Sequence, residues 1–580
     1  MGVMRWSIGV FGLLVATMVH AGDDPDHRLA EVRIPITNYW EHAQVPGSDR
    51  RATAFYDHDY RFMAQWPDTE LQEYGTKPGP TFLSGVGVAV SDHRAGLLWY
   101  DKDPNKAVFL LTDDAEAPIN IDDIASNPLG ELALMFTPDE RWQALWVGER
   151  EIEGEPLYNV YHRIEGQAGE RVIPAEQLAW LAEDDGGIVV FGRRPTEEGM
   201  DIVFRHLAAD ADEFSPEQVV TATPPFGMNF RAWNAAGIWA VSWDVQYADH
   251  GIANVFKLAL SADQGETWQV TRFPGKERVV WYSIDVAADT DGQVVVALTG
   301  MLRAQQGDRP SRFAVMRSTD GGRSWSDAWN PRDEQWAYSR MNAAKVVPGA
   351  EPGELYLLWE DWRSLRPKLY GGFSSDFGAT WEFMDQRFAD QPEGRNGLAA
   401  WRHVAYRDTN GPYVMMQRYH TDSFHEYGLI PFHPMPEFTA TELADFAPDI
   451  PDAEDQLQER VEQYWQAMGE RDWVATYALL DPYTRNTWPL EGYISRRGPV
   501  DYSNLEIEAI RIEGPIAYVD LSIYAEIPRE RLTDRGTVLN PPEPRRVSMQ
   551  QRWLWLDGQW HHEYHEAADD GLRFAQYVNR

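Results

Sequence analysis

The sequence predicts a run of repeated four-stranded antiparallel β-sheets followed by a smaller α+β domain. Three observations predict it: an eight-residue pattern recurring at a nearly constant interval, alternating apolar runs between its copies, and a change of period from two to about 3.6 beyond residue 452.

The pattern is S-x-D-x-G-x-[ST]-W. It stands at Ser261-Ala-Asp263-Gln-Gly265-Glu-Thr267-Trp268, Ser318-Thr-Asp320-Gly-Gly322-Arg-Ser324-Trp325 and Ser374-Ser-Asp376-Phe-Gly378-Ala-Thr380-Trp381, with successive starts 57 and 56 residues apart. Its chemistry is that of a hairpin turn. Ser and Asp bond to nearby backbone groups, Gly takes a positive φ, and Thr and Trp begin the next strand. A strand-like run precedes each copy (255–260, 312–317, 368–373), and further alternating runs lie upstream at 237–243, 293–298 and 354–359. Four strands per unit of about 50 residues is the signature of a β-propeller blade.

The period persists where the pattern decays. The segment 207–218 aligns with the first copy without its Gly and Trp, while 131–136 with 143–147 and 85–91 with 95–100 read as strands of two earlier units. A last unit begins at 398–406 and 413–418. Up to seven units fit between about 80 and 435, giving six or seven blades, and a strand near 32–39 is expected to complete the last one.

A linker rich in Pro, Asp and Glu is read at 438–452, separating a propeller domain (22–437) from an α+β domain (453–580). Leu457, Val461, Tyr464, Trp465 and Met468 fall at helical spacing, and Trp473, Tyr477 and Leu480 continue on a second helix. Strands are expected at 505–512, 516–527 and 547–556, and at 560–564 after the Asp557-Gly558 turn.

Composition excludes several functions. With 91 acidic against 52 basic residues, the net charge of −39 excludes a nucleic-acid binder held by phosphate neutralisation. The absence of cysteine removes disulfides and thiolate sites. Only seven basic residues are Lys, at 77, 102, 106, 257, 276, 345 and 368. Residues 1–21 read as a cleaved leader: Arg5, then a 14-residue largely apolar run from Trp6, then Val19-His20-Ala21. Export to a periplasm or beyond the cell, with cleavage after Ala21, is the expectation. No later stretch is apolar enough to span a bilayer.

The eight-residue pattern resembles the Asp-box of the BNR repeat, and this part of the chain resembles the sialidase-like propellers. In that family the boxes are structural hairpins on the rim, which implies structural roles for Ser261, Asp263, Gly265 and Trp268, for Ser318, Asp320, Gly322 and Trp325, and for Ser374, Asp376, Gly378 and Trp381. Substrate is held near the axis by an arginine triad that grips a sugar carboxylate. Arginines stand before the inner strand of four successive units, at Arg231, Arg278, Arg340 and Arg395. A guanidinium forks onto a carboxylate, so Arg231, Arg340 and Arg395 are the candidates, unless each pairs with a neighbour such as Glu277 or Glu393. Val32-Arg33-Ile34-Pro35 resembles the family's [FY]-R-I-P motif without its aromatic, which adds Arg33.

The resemblance also implies a Tyr nucleophile, a Glu that activates it and an Asp acid/base. Tyr282, Tyr338, Tyr370, Glu360 and Asp361 lie near inner strands but in no family motif, so no catalytic set is assigned. Trp233, Trp281, Trp336, Trp359, Trp362 and Trp401 would either stack on sugar rings or pack the blades.

Residues 464–468, 478–485 and 553–560 resemble an NTF2-like (SnoaL-type) domain. That implies a cone-shaped cavity with Asp481, Tyr483 and Arg485 near its mouth. His561-His562-Glu563-Tyr564-His565 lacks the HExxH order and lies on a strand, and the Asp pairs 113–114 and 122–123 lack calcium-loop spacing. Neither metal nor cofactor is therefore assigned. Two functions remain: binding, and perhaps cleavage, of an acidic glycan through the axial arginines, or a non-catalytic scaffold for periplasmic protein partners.

Overall fold

The computed structural model describes residues 32–35, 39–431 and 450–563, apart from stretches of which the longest are 77–85, 303–310, 330–340, 388–397 and 529–542. Eight antiparallel sheets precede residue 432 among the described residues. In chain order they cover 39–76, 86–120, 128–174, 179–223, 231–273, 279–318, 341–387 and 398–431, and all but the sixth have four strands. Each is a meander of hairpins, its first strand at one edge.

The last sheet takes its fourth strand from the start of the chain. Val32–Pro35 pairs antiparallel with Phe424–Pro431, Val32 opposite Tyr427 and Pro35 opposite Phe424. Only three residues separate Pro35 from Tyr39, which opens the first sheet. At about 3.5 Å per residue, that link holds the eighth sheet beside the first.

Consecutive sheets stack face to face, because each apolar cluster is shared by two of them. Leu97 and Trp99 meet Ala54 and Trp66 between sheets one and two. Phe191 and Phe204 meet Trp239 and Trp243 between four and five, Leu258 meets Trp281 and Val296 between five and six, and Phe313 meets Trp359 and Tyr370 between six and seven. Strands covered on both faces explain continuous apolar runs such as Val294-Val-Val-Ala-Leu. This serial stacking of meander sheets is a β-propeller.

The expected six or seven blades are fewer than the eight sheets described before residue 432. Seven sheets do lie between residues 80 and 435, and the additional one is 39–76. Its strands are five or six residues long, and their polar sequences, such as Gln72-Glu-Tyr-Gly-Thr, carry little alternation. The expected closing strand at 32–39 is in fact two: Val32–Pro35 closes the last sheet and Tyr39–Gln44 opens the first.

The three repeated turns share one hydrogen-bond arrangement. In each, the Ser hydroxyl donates to the Asp carboxylate, the Gly N–H donates to the Ser oxygen, and the Thr or Ser N–H donates to the Asp, all at 2.7–2.9 Å. Gly265 and Gly322 have φ of +87° and +85°, and a Cβ on them would stand 2.6 Å from Phe204 and from Leu260 of the preceding sheet. Backbone conformation and interblade contact both require glycine there. The closing Trp also packs backward, with Trp268 edge-on to Phe204, Trp325 edge-on to Phe273 and Trp381 stacked on Trp329.

Beyond residue 450 the chain forms helices α1 (Ala453–Glu470), α2 (Trp473–Ala478) and α3 (Leu490–Ser495), then a four-stranded antiparallel sheet of Asp501–Glu513, Ile516–Glu526, Arg545–Leu556 and Gln559–Glu563. All five apolar residues predicted at helical spacing on α1 are buried, in a core with Val519, Leu521, Trp553 and Trp560 of the sheet. The sequence Asp472-Trp473 starts α2 because the Asp472 carboxylate accepts the Ala475 N–H.

Candidate functional site

The first strands of successive sheets lie side by side along the axis, and three of them bring charge together. Arg231 opens the strand Arg231–Ala235 of the fifth sheet, Asp285 lies within Val279–Ala288 of the sixth, and Lys345 within Met341–Pro348 of the seventh. Lys345 Nζ stands 3.6 Å from Asp285 Oδ1, each side chain about 15% exposed. Asp285 Oδ2 accepts the Val346 N–H at 2.9 Å, and Thr299 accepts the Ala344 N–H at 3.1 Å. The carboxylate therefore orients both the amine and the strand that carries it.

The strands that carry Asp285 and Lys345 are both bulged near the pair, between Trp281 and Ser283 and between Asn342 and Lys345. A bulge turns a side chain away from the regular alternation, which lets a charged residue leave the apolar interblade face. Burial pushes the Lys345 ammonium below its ordinary value, Asp285 opposes that shift, and the positive Arg231 adds to it. Arg231 is therefore near enough for its charge to be felt at Lys345. Directly across the strand pair from Arg231 lies Ser242, 1% exposed, whose Oγ has no hydrogen-bond partner.

Of the arginines expected at the axis, Arg231 is in this cluster. Arg340 and Arg395 lie outside the described residues, and for Arg33 only the backbone is described, on the strand that closes the last sheet. Tyr338, Trp336 and Trp362 also lie outside them, as do the side chains of Tyr282, Glu360, Asp361 and Trp401. Tyr370, Trp281 and Trp359 are buried in interblade clusters, the packing alternative for those residues. Sequence reasoning missed Asp285 and Lys345. Their signal was a charge inside an otherwise apolar strand, in Lys345's case one of only seven lysines.

Among the described residues, no group of three or more His, Asp or Glu side chains is placed to hold a metal ion. His561, His562 and Glu563 lie on the final strand and are buried, with Glu563 2.9 Å from Arg552. Asp113 pairs with Arg50 at 2.7 Å and Asp114 with Arg94 at 3.4 Å. No helix among the described residues is long and apolar enough to cross a membrane.

No family model matches this chain, and no curated protein matches it. Solved structures do. The polysaccharide lyase Uly1 is 10% identical, with 69% of this chain and 99% of that one covered and a TM-score of 0.42. An ulvan lyase of family PL25, bound to -[GlcA(1-4)Rha3S]-, is 11% identical over 62% and 94% with a TM-score of 0.37. The β-propeller domain of the Trilobed protease from Pyrococcus furiosus is 11% identical over 60% and 95% with a TM-score of 0.34. At these scores the likeness assigns no residue role and no substrate.

Proposed function

We propose that this is an exported glycan-binding protein, an eight-bladed Asp-box propeller with a C-terminal NTF2-like domain, that holds the carboxylate of an acidic sugar at its axis. The observation that carries the reading is the meeting of Lys345 and Asp285 at 3.6 Å, with Arg231 near enough for its charge to be felt at Lys345 and Ser242 opposite Arg231 on the next strand. A sugar carboxylate would accept from the guanidinium, the ammonium and the hydroxyl together, while Asp285 keeps the amine in place. Repulsion from the acidic surface is long-ranged and screened by salt, so capture should quicken as ionic strength rises. The eight sheets also separate this chain from the six-bladed sialidases it resembles in its turns.

The test is binding of the purified protein to an array of sialylated, uronate-bearing and neutral glycans, at low and high salt, with hydrolysis of a fluorogenic sialoside measured alongside. Acidic glycans alone should bind, and Arg231→Met or Lys345→Met should each weaken binding about tenfold, the value of about 1.4 kcal/mol. A folded protein that binds no acidic glycan would discard the reading and favour the scaffold, to be pursued through co-purifying periplasmic proteins.

A further inference from the structure

Lys345 is held in a way few surface lysines are. It is one of only seven lysines among 52 basic residues, and it sits on an inner strand with 15% of its side chain exposed. Its backbone is fixed on both sides. The Ala344 N–H donates to the Thr299 hydroxyl and the Val346 N–H to Asp285 Oδ2, and Ala344 and Val346 are themselves 1% and 4% exposed. The amine is therefore carried on a rigid strand, with little of the solvated swing of an ordinary lysine.

An ammonium has three N–H donors, and burial requires that each be met. Among the described residues the Lys345 amine has one charged partner, Asp285 Oδ1 at 3.6 Å, a separation longer than a charge-assisted hydrogen bond. Such surroundings favour the neutral amine, and the Arg231 charge felt at Lys345 acts in the same direction. A lysine that is desolvated or set beside a second cation is a nucleophile toward carbonyl carbon. The Asp285 carboxylate stands where it can take up and return the protons of that attack.

We propose that Lys345 captures a small 2-oxo carboxylic acid as a covalent imine. This rests on the reading of the axis as a carboxylate site and adds a carbonyl to what the site takes. The Nζ lone pair attacks the carbonyl carbon, and the carbon–oxygen π pair moves onto the oxygen, giving a carbinolamine. Two N–H protons then pass to that oxygen, with Asp285 relaying them. The carbon–oxygen bond breaks, water leaves and the carbon–nitrogen double bond forms, so nothing is oxidised or reduced. Because the Arg231 charge reaches Lys345, a carbonyl that carries a carboxylate on the neighbouring carbon is favoured over a plain ketone.

The test incubates the full-length protein with pyruvate and cyanoborohydride, which reduces an imine to a stable secondary amine, and locates the labelled lysine by peptide mass spectrometry. Label is expected at Lys345 about tenfold above the other lysines, and about tenfold lower when acetone, which lacks the carboxylate, replaces pyruvate. Lactate, which has the carboxylate without the carbonyl, should protect Lys345. The internal comparator is Lys257, whose amine is also lowered by burial and by Arg272 on the neighbouring strand, but which makes no ion pair among the described residues. Equal label at Lys257 and Lys345, equal label from acetone and pyruvate, or no label at Lys345 would overturn the proposal. Acidic glycans that bind while pyruvate leaves no label would discard the imine and keep the axial carboxylate site, whereas loss of both would discard both.

Discussion

Lys345 and Asp285 meet across two sheets at 3.6 Å, and the same carboxylate receives the Val346 backbone N–H. The two partners are therefore unequal. Asp285→Ala strips an acceptor from a backbone N–H and leaves a mostly buried ammonium without its counter-charge, a loss of about 3 kcal/mol. Lys345→Met leaves Asp285 its backbone bond and should cost about 1 kcal/mol or less. Urea unfolding of both variants checks the order, and equal losses would contradict it.

Gly321 and Gly322 are adjacent, both have positive φ, and they differ in surroundings. A Cβ on Gly322 would meet Leu260 at 2.6 Å, whereas one on Gly321 meets nothing within 4 Å. Gly321→Ala should therefore cost about 1 kcal/mol, the backbone strain alone, and Gly322→Ala about 2–3 kcal/mol, since the collision adds to the strain. Comparison of their unfolding midpoints decides whether the turn's glycine is needed for its φ or also for its contact.

The Asp320 carboxyl is held at about 2 by hydrogen bonds from the Ser324 hydroxyl, the Ser324 N–H and the Ser318 hydroxyl, below its ordinary 3.8. The folded state thus takes up the proton less readily than the unfolded chain. The turn's contribution is complete above pH 3.8 and is lost as pH falls toward 2. Native protein should melt above Asp320→Asn at pH 5, and that gap should narrow from pH 4 to pH 2. A gap constant across this window would refute the assignment.

In the C-terminal core, the Gln551 side-chain oxygen accepts both the Trp465 and the Trp553 indole N–H, each at 3.3 Å, and all three residues are buried. Gln551→Leu fills the volume but leaves two buried donors without an acceptor, a loss of about 2–4 kcal/mol. Tryptophan fluorescence during denaturation should show the C-terminal unit unfolding first in the variant.

Much of the architecture is legible in the chain because it rests on local rules. The turns at Ser261, Ser318 and Ser374 are recognisable since each closes its hydrogen bonds within eight residues, and the buried face of α1 follows from helical spacing alone. The sheet at 39–76 was not legible, because strands of five or six mixed residues carry too little periodicity to outweigh the composition around them.

The sequence by itself determined the repeated hairpins, the change to an α+β unit after residue 452 and the charge balance, all properties of neighbouring residues or of composition. It also placed Arg231 at the start of an inner strand. Only the tertiary structure decided that Arg231, Asp285 and Lys345 share one point, because they come from three sheets and are 54 and 60 residues apart. Proximity across the fold is set by how sheets stack and where their strands bulge, and no local pattern encodes it.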